Sequence, residues 1–415
     1  MRTASKGKSD AVRTRVAIIG AGFGGLGMAH YLKQAGFEDL TIFEKKGALG
    51  GVWRDNTYPG AACDVPSHLY SFSFETGYPW SHRFARQPEI LAYQQHCAER
   101  HDLLRHIRFG HELTAARFDP ARAIWTLSFA GGDTLEADIV VSAVGQLHRP
   151  SIPDIPGAEG FAGLRFHSAQ WPASLDLSGK RVAVVGTGAS AVQFVPEIAP
   201  QVDTLHVFQR SPGWVLPMEW VSPGAAVPYS PLSRTLFKAL PMLEALDRAR
   251  VFNIAELLAT AYNHGGAGEA IIRQLCLRNL RQQVADPVLR DRLTPDFPVG
   301  CKRILLTSRW LPALTRDNVE VVTDGIEAIT PTGVRTADGV QRDVDVLIYG
   351  TGFAATDFLA PMAVTGRDGQ DLRGGWQQGA EAYLGMSVAE FPNFFMLYGP
   401  NTNVGSGSII VMLEA

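Results

Sequence analysis

The chain lacks the features that would tie it to nucleic acid or to a membrane. Its 415 residues carry 38 Lys and Arg against 41 Asp and Glu, a net charge of −3. Without a basic excess, polyanions and anionic membrane surfaces are poor candidates for its main partner. No window approaches the ~20 continuous apolar residues of a membrane-spanning helix. The basic start, Met1 to Arg15, has no apolar stretch; it reads as a disordered leader rather than a signal peptide. Cysteine is scarce. Cys63, Cys97, Cys276 and Cys301 are scattered, without the paired spacing of a zinc site or a dithiol redox centre. That argues against a disulfide reductase, leaves no expected metal, and fits reduced thiols in a cytoplasmic protein.

What is present is a repeated plan. Arg15-Val16-Ala17-Ile18-Ile19 is an apolar run of strand length that ends at Gly20. Gly22, Gly24 and Gly25 follow, then a helical stretch from Leu26 to Ala35 closed by Gly36, then a second apolar run, Leu40 to Phe43, ending in Glu44. Strand, tight turn, helix and strand with a terminal acid make a dinucleotide-binding βαβ unit. Gly20, Gly22 and Gly25 would let the backbone approach a pyrophosphate, and Glu44 stands where a carboxylate would accept from ribose hydroxyls. Such a glycine pattern alone is weak; its context strengthens it.

The plan recurs at Arg181 to Val185, followed by Gly186, Gly188 and Ser190, with a second strand from Thr204 to Phe208. Here the second strand is followed by Arg210 instead of an acid. A guanidinium at that place suits a 2′-phosphate, so NADPH is expected in preference to NADH; a generic surface ion pair is the alternative. Two such turns give the expected fold class: α/β, with two Rossmann-like dinucleotide-binding domains and a helical insertion in the second. The expected boundaries are residues 1–150 for the first domain, 151–345 for the second with its insertion at about 216–298, and a return to the first over 346–415. The C-terminal residues Ser408 to Ala415 have helical character but stop without a cap, which reads as a truncated chain.

Two longer motifs lie around these turns. One is Gly50-Gly51-Val52-Trp53 continuing through Tyr58-Pro59-Gly60 to Asp64; the other is Phe161-x-Gly163-x-x-x-His167-x-x-x-Trp171-Pro172. Together they resemble the class B flavoprotein monooxygenases and, within them, the type I Baeyer–Villiger monooxygenases. The second motif matches that family's fingerprint at every fixed position.

The resemblance implies FAD on the first domain, reduced by NADPH on the second. It further implies a C4a-peroxyflavin formed with O2 that attacks a ketone to give an ester or lactone. Gly300-Cys301-Lys302-Arg303 aligns with the family's glycine-x-lysine-arginine stretch. Arg303 is thereby the candidate for stabilising the anionic peroxide, Asp64 for orienting Arg303 in a buried pair, and Lys302 for holding the NADPH phosphate beside Arg210. His167 is implied in domain motion and cofactor positioning rather than proton transfer, with Trp171 as packing beside it. Trp53 and Tyr70 are expected near the flavin. Two other outcomes stay open: heteroatom oxygenation by the same peroxyflavin, and a truncated flavoprotein that leaks NADPH oxidation. The identity of the ketone is not legible, because the helical stretch from Pro231 to Val288 carries no chemical signature.

Overall fold

Strand-length apolar runs alternating with glycine turns and helices fold here into parallel sheets. The structure, a computed structural model, describes residues 14–222 and 227–415. Most of the basic leader, residues 1–13, lies outside the described residues. Arg15 is tied down: its backbone N–H donates to Asp138 Oδ2 at 2.7 Å and its Nη2 to Asp138 Oδ1 at 2.9 Å.

The described residues group into two units. One comprises the chain up to Gly51, Gln94–Gln146 and Thr356–Thr402; the other comprises Val52–Tyr93, Leu147–Ala355 and Asn403–Ala415. The first unit is built on an all-parallel sheet in the order Phe394–Met396, Ile139–Ser142, Val16–Ile19, Leu40–Glu44, Ile107–Phe109. Val16–Ile19 is buried at all four positions, as a parallel strand covered on both faces must be. It leads through Gly20 into helix Phe23–Gln34. A second sheet, Ala363–Thr365, Leu113–Asp119, Ile124–Phe129 and Thr134–Ala137, shares its core around the fully buried Trp125. Thr134–Ala137 and Ile139–Ser142, consecutive in the chain, thus belong to different sheets. The break falls at Asp138, whose carboxylate is turned to Arg15.

The second unit has a parallel sheet in the order Val319–Val322, Thr204–Phe208, Arg181–Val185, Val346–Tyr349, Leu164–His167. A three-stranded antiparallel meander follows over Ile326–Thr330, Gly333–Thr336 and Gln341–Asp343. Helices Pro231–Ala239, Pro241–Ala259, Ala267–Gln283 and Pro287–Arg292 occupy the stretch that reads as helical.

Three expected boundaries are corrected. Val346–Tyr349 does not open the return to the first unit. It pairs with Arg181–Val185 and Leu164–His167, and the return begins at Thr356; an apolar run carries no mark of which parallel sheet it joins. Val52–Tyr93 groups with the second unit, and Gln193 is one of the residues that tie it there. Tyr58 Oη donates to Gln193 Oε1 at 2.9 Å, and Gln193 Nε2 donates to the Ala62 carbonyl at 2.9 Å. The last residues also join the second unit, where the Ser73 backbone N–H donates to Glu414 at 2.8 Å. Among the described residues no helix is long and apolar enough to cross a membrane.

Candidate active site

In the first unit the glycine turn is a bare cradle. Gly20 has φ +108°, and a Cβ there would meet the Ala143 carbonyl oxygen at 2.6 Å. A Cβ on Gly25 would overlap the Gly20 carbonyl oxygen, so the helix starts hard against the turn. Gly22 is its N-cap and contributes no side-chain cap, and the start of a helix is a favourable place for an anion. Glu44 is buried beside this turn. Its Oε2 accepts from Ala21 N–H and its Oε1 from Lys46 N–H, both at 3.0 Å. The acid therefore braces the turn as well as standing at the strand end.

The second unit repeats the device. Gly186 has φ +106°, and a Cβ there would meet the Gly350 carbonyl oxygen at 2.5 Å. Gly188 is open, its nearest neighbour 3.9 Å from where a Cβ would be. Ser190 is the N-cap of helix Ala191–Ile198 but makes no side-chain cap bond. Thr187 Oγ1 donates to the Ser211 carbonyl at 3.3 Å, and Lys302 Nζ donates to Ser211 Oγ at 2.6 Å. Lys302 thus reaches the residue that follows the exposed Arg210. The structure brings the second glycine turn, Arg210 and Lys302 to one place.

Asp64 and Arg303 meet side by side. Arg303 Nε donates to Asp64 Oδ2 at 3.1 Å and Nη2 to Oδ1 at 2.9 Å, a two-pronged geometry that fixes the guanidinium plane. The pair is not buried as expected: the side chains are 40% and 27% exposed. The cost of burying charge therefore cannot be its rationale, and such a pair adds little stability. The Asp64 charge raises the Arg303 pKa against the opposing effect of desolvation, so the guanidinium stays cationic. The pair opens on a cleft walled by Val65, Leu69, Leu216, Val251, Ile254, Leu258, Ile304 and Leu306. An apolar cleft with a few converging polar groups is the usual form of a small-molecule site.

Residues 13–264 match the family described as FMO-like, flavin-binding monooxygenase-like. A Baeyer–Villiger monooxygenase of Pseudomonas aeruginosa is 45% identical over 401 residues, covering 97% of this chain and 75% of the relative. Among solved structures, a steroid monooxygenase in its oxidised form bound to NADP superposes with a TM-score of 0.83 at 33% identity, over 96% of this chain and 83% of that one. OTEMO, solved in complex with FAD and NADP, superposes with a TM-score of 0.82 at 32% identity, over 93% and 80%. The chain belongs to the flavin-binding monooxygenase family. Its relatives place it in the Baeyer–Villiger group of that family.

The remaining motif residues of this monooxygenase take distinct places. Trp53 Nε1 donates to Tyr70 Oη at 2.9 Å with the rings edge to face, so the two expected aromatics are one contact. His167 ends strand Leu164–His167 and is completely buried. Its Nδ1 accepts the Ala169 N–H at 3.1 Å, while Nε2 has no hydrogen-bond partner. Burial holds its pKa below the ordinary histidine value, with the Gly352 backbone opposing. His167 makes no hydrogen bond or ion pair to Asp64 or Arg303. Trp171 packs edge-on against Phe166 and tilted against Phe194.

Sequence reasoning missed three groups. Gln193, which holds the turn leading to Asp64, was discoverable as an amide in the otherwise apolar first turn of helix Ala191–Ile198. Tyr262 donates from Oη to the Gly405 carbonyl at 2.6 Å at the Arg303 end of the cleft; nothing marks it in sequence. Arg83 and Arg250 also line the cleft, and each looks like any solvated arginine when read along the chain.

Proposed function

We propose that the chain is an FAD-containing, NADPH-dependent Baeyer–Villiger monooxygenase: a ketone, O2, NADPH and a proton give an ester or lactone, water and NADP+. The observation that carries this reading is the two-pronged Asp64–Arg303 pair at an apolar cleft. Bound FAD, once reduced, activates oxygen. The bare turn at Gly20, Gly22 and Gly25 with Glu44 would hold FAD, and its freedom from side chains fits a pyrophosphate. The turn at Gly186, Gly188 and Ser190, with Arg210 and Lys302, would hold NADPH and its 2′-phosphate. Trp53 and Tyr70, in contact with each other, would pack near the flavin.

The residues of the chain then do three things. Arg303 sets a permanent positive charge where negative charge develops on the attacking oxygen and on the ketone oxygen. Asp64 fixes the plane of that guanidinium and tempers its charge. With the cofactors bound, the aliphatic walls would limit the access of water. His167, buried and bonded through Nδ1 to the Ala169 N–H, would steady the end of strand Leu164–His167 rather than transfer a proton. Replacing Arg303 by Ala is expected to leave NADPH oxidation largely intact and to abolish ester formation. Chromatographic measurement of ester formed per NADPH consumed checks this. Undiminished yield would remove Arg303 from the mechanism.

A further inference from the structure

The cleft has a second cationic end that oxygen insertion does not use. Helix Pro241–Ala259 presents Arg250, Val251, Ile254 and Leu258 to the cleft. Arg250 and Leu258 are eight residues apart, about 12 Å along the helix. Beyond Leu258 comes Tyr262, whose phenol is raised by burial and pulled back by the Arg303 charge. Arg303 therefore stands at one end of this wall and Arg250 at the other.

Arg83 joins Arg250 there. Its Nη1 donates to Asp247 Oδ1 at 3.2 Å, while Arg250 Nη1 lies 3.6 Å from the same oxygen. Asp247 is also bound by His68, whose Nδ1 is 2.7 Å from Oδ2. One carboxylate thus faces two guanidiniums, and it is already bonded to a third group. Glu244 is occupied by the Gly77 N–H, and Glu414 is shared between Ser73 and Arg248. Arg250 makes no hydrogen bond to any described residue, and Arg83 uses only Nη1. The distal end keeps guanidinium N–H donors that no carboxylate takes up by hydrogen bond, separated from Arg303 by aliphatic wall.

We infer that the cleft selects ketones that also carry a carboxylate, with the ketone carbonyl at Arg303 and the carboxylate at Arg250 and Arg83 across an aliphatic spacer. The inference rests on the Baeyer–Villiger reading and names its substrate class. Guanidinium donors in a half-enclosed site bind carboxylate by charge-assisted hydrogen bonds, and a methyl ester of the same acid forfeits them.

The test is calorimetric titration of the oxidised, FAD-loaded chain with 9-oxodecanoate, its methyl ester and 2-decanone. No turnover occurs without NADPH. The acid is expected to bind at least ~10-fold more tightly than the ester, with the margin shrinking as salt is raised. Arg250→Gln should bring the ester-to-acid ratio of Kd toward one, and Arg250→Lys should restore part of it. Equal binding of acid and ester, no measurable binding of the acid, or a preference untouched by Arg250→Gln would each overturn the inference. Turnover of 2-decanone by the unaltered enzyme separates the two layers. Ester product without an acid preference leaves the reaction standing and removes the anchor. An Arg250-dependent preference without any ester product keeps the anchor and removes the reaction.

Discussion

The two nucleotide units solve one packing problem twice and then part company at their second strands. Their parallel sheets have the same order once corresponding strands are matched: Val16–Ile19 answers to Arg181–Val185, Leu40–Glu44 to Thr204–Phe208, and Ile139–Ser142 to Val346–Tyr349. In each, a glycine at φ near +107° presses against the crossing segment, Ala143 in one case and Gly350 in the other. The outer strand is supplied differently. Phe394–Met396 comes from late in the chain, whereas Leu164–His167 precedes its sheet. The chemical difference lies at the second strand's end. Glu44 is buried and braces its own turn, while Arg210 is exposed beside Lys302. A carboxylate suits a ribose with free hydroxyls, and a cationic pair suits a ribose bearing phosphate. On the proposed reading, one backbone design would accept two different nucleotides through the charge placed at the second strand's end.

The largest effect comes from breaking the shared part. Gly25→Val forces a side chain into the Gly20 carbonyl and should prevent the first unit from folding, seen as loss of soluble, flavin-loaded protein. Gly188→Ala is the sharpening counterpart. Its Cβ has room in the fold, so the melting temperature should hold while KM for NADPH rises about 10-fold, a cost of ~1.4 kcal/mol.

The next effect isolates the part that differs. Arg210→Ala combined with Lys302→Ala should raise KM for NADPH by about 100-fold, the loss of two charge-assisted contacts. KM for NADH should barely move. Parallel steady-state titrations with the two coenzymes read this directly, and an equal rise for both would show that the pair does not sense the phosphate.

The smallest effect concerns the buried imidazole at the edge of the second sheet. Because burial lowers the His167 pKa, the unfolded chain takes up its proton first as pH falls. The stability tied to neutral His167 is complete above about pH 6.5 and is lost as pH drops through the lower folded value. His167→Gln should flatten the acid limb of a plot of melting temperature against pH. His206, likewise lowered by burial, should leave a residual slope.

Much of this was legible before any coordinates. The turns at Gly20 and Gly186 declare themselves because only glycine meets their backbone demands. Glu44 and Arg210 are legible because charge at a strand end following such a turn has few other uses. Asp64 and Arg303 lie 239 residues apart; only the family resemblance joined them, and it did not convey their exposure. Arg83, Arg250 and Tyr262 stayed hidden because a cleft is assembled from separate elements, and Arg250 is one of several charged residues along the helix that forms its wall. The placement of Val346–Tyr349 was hidden for a related reason, since every fully buried parallel strand has the same pattern.

The central claim is that Asp64 and Arg303 act as one unit in oxygen insertion. The most direct measurement is a double-mutant cycle on ester formed per NADPH consumed, using Asp64→Ala, Arg303→Ala and the pair together with one convertible ketone. Action as a unit predicts that the double variant is no worse than Arg303→Ala alone, because Asp64 serves only through the guanidinium. Losses that multiply, or an Arg303→Ala enzyme that still couples NADPH oxidation to ester, would contradict it.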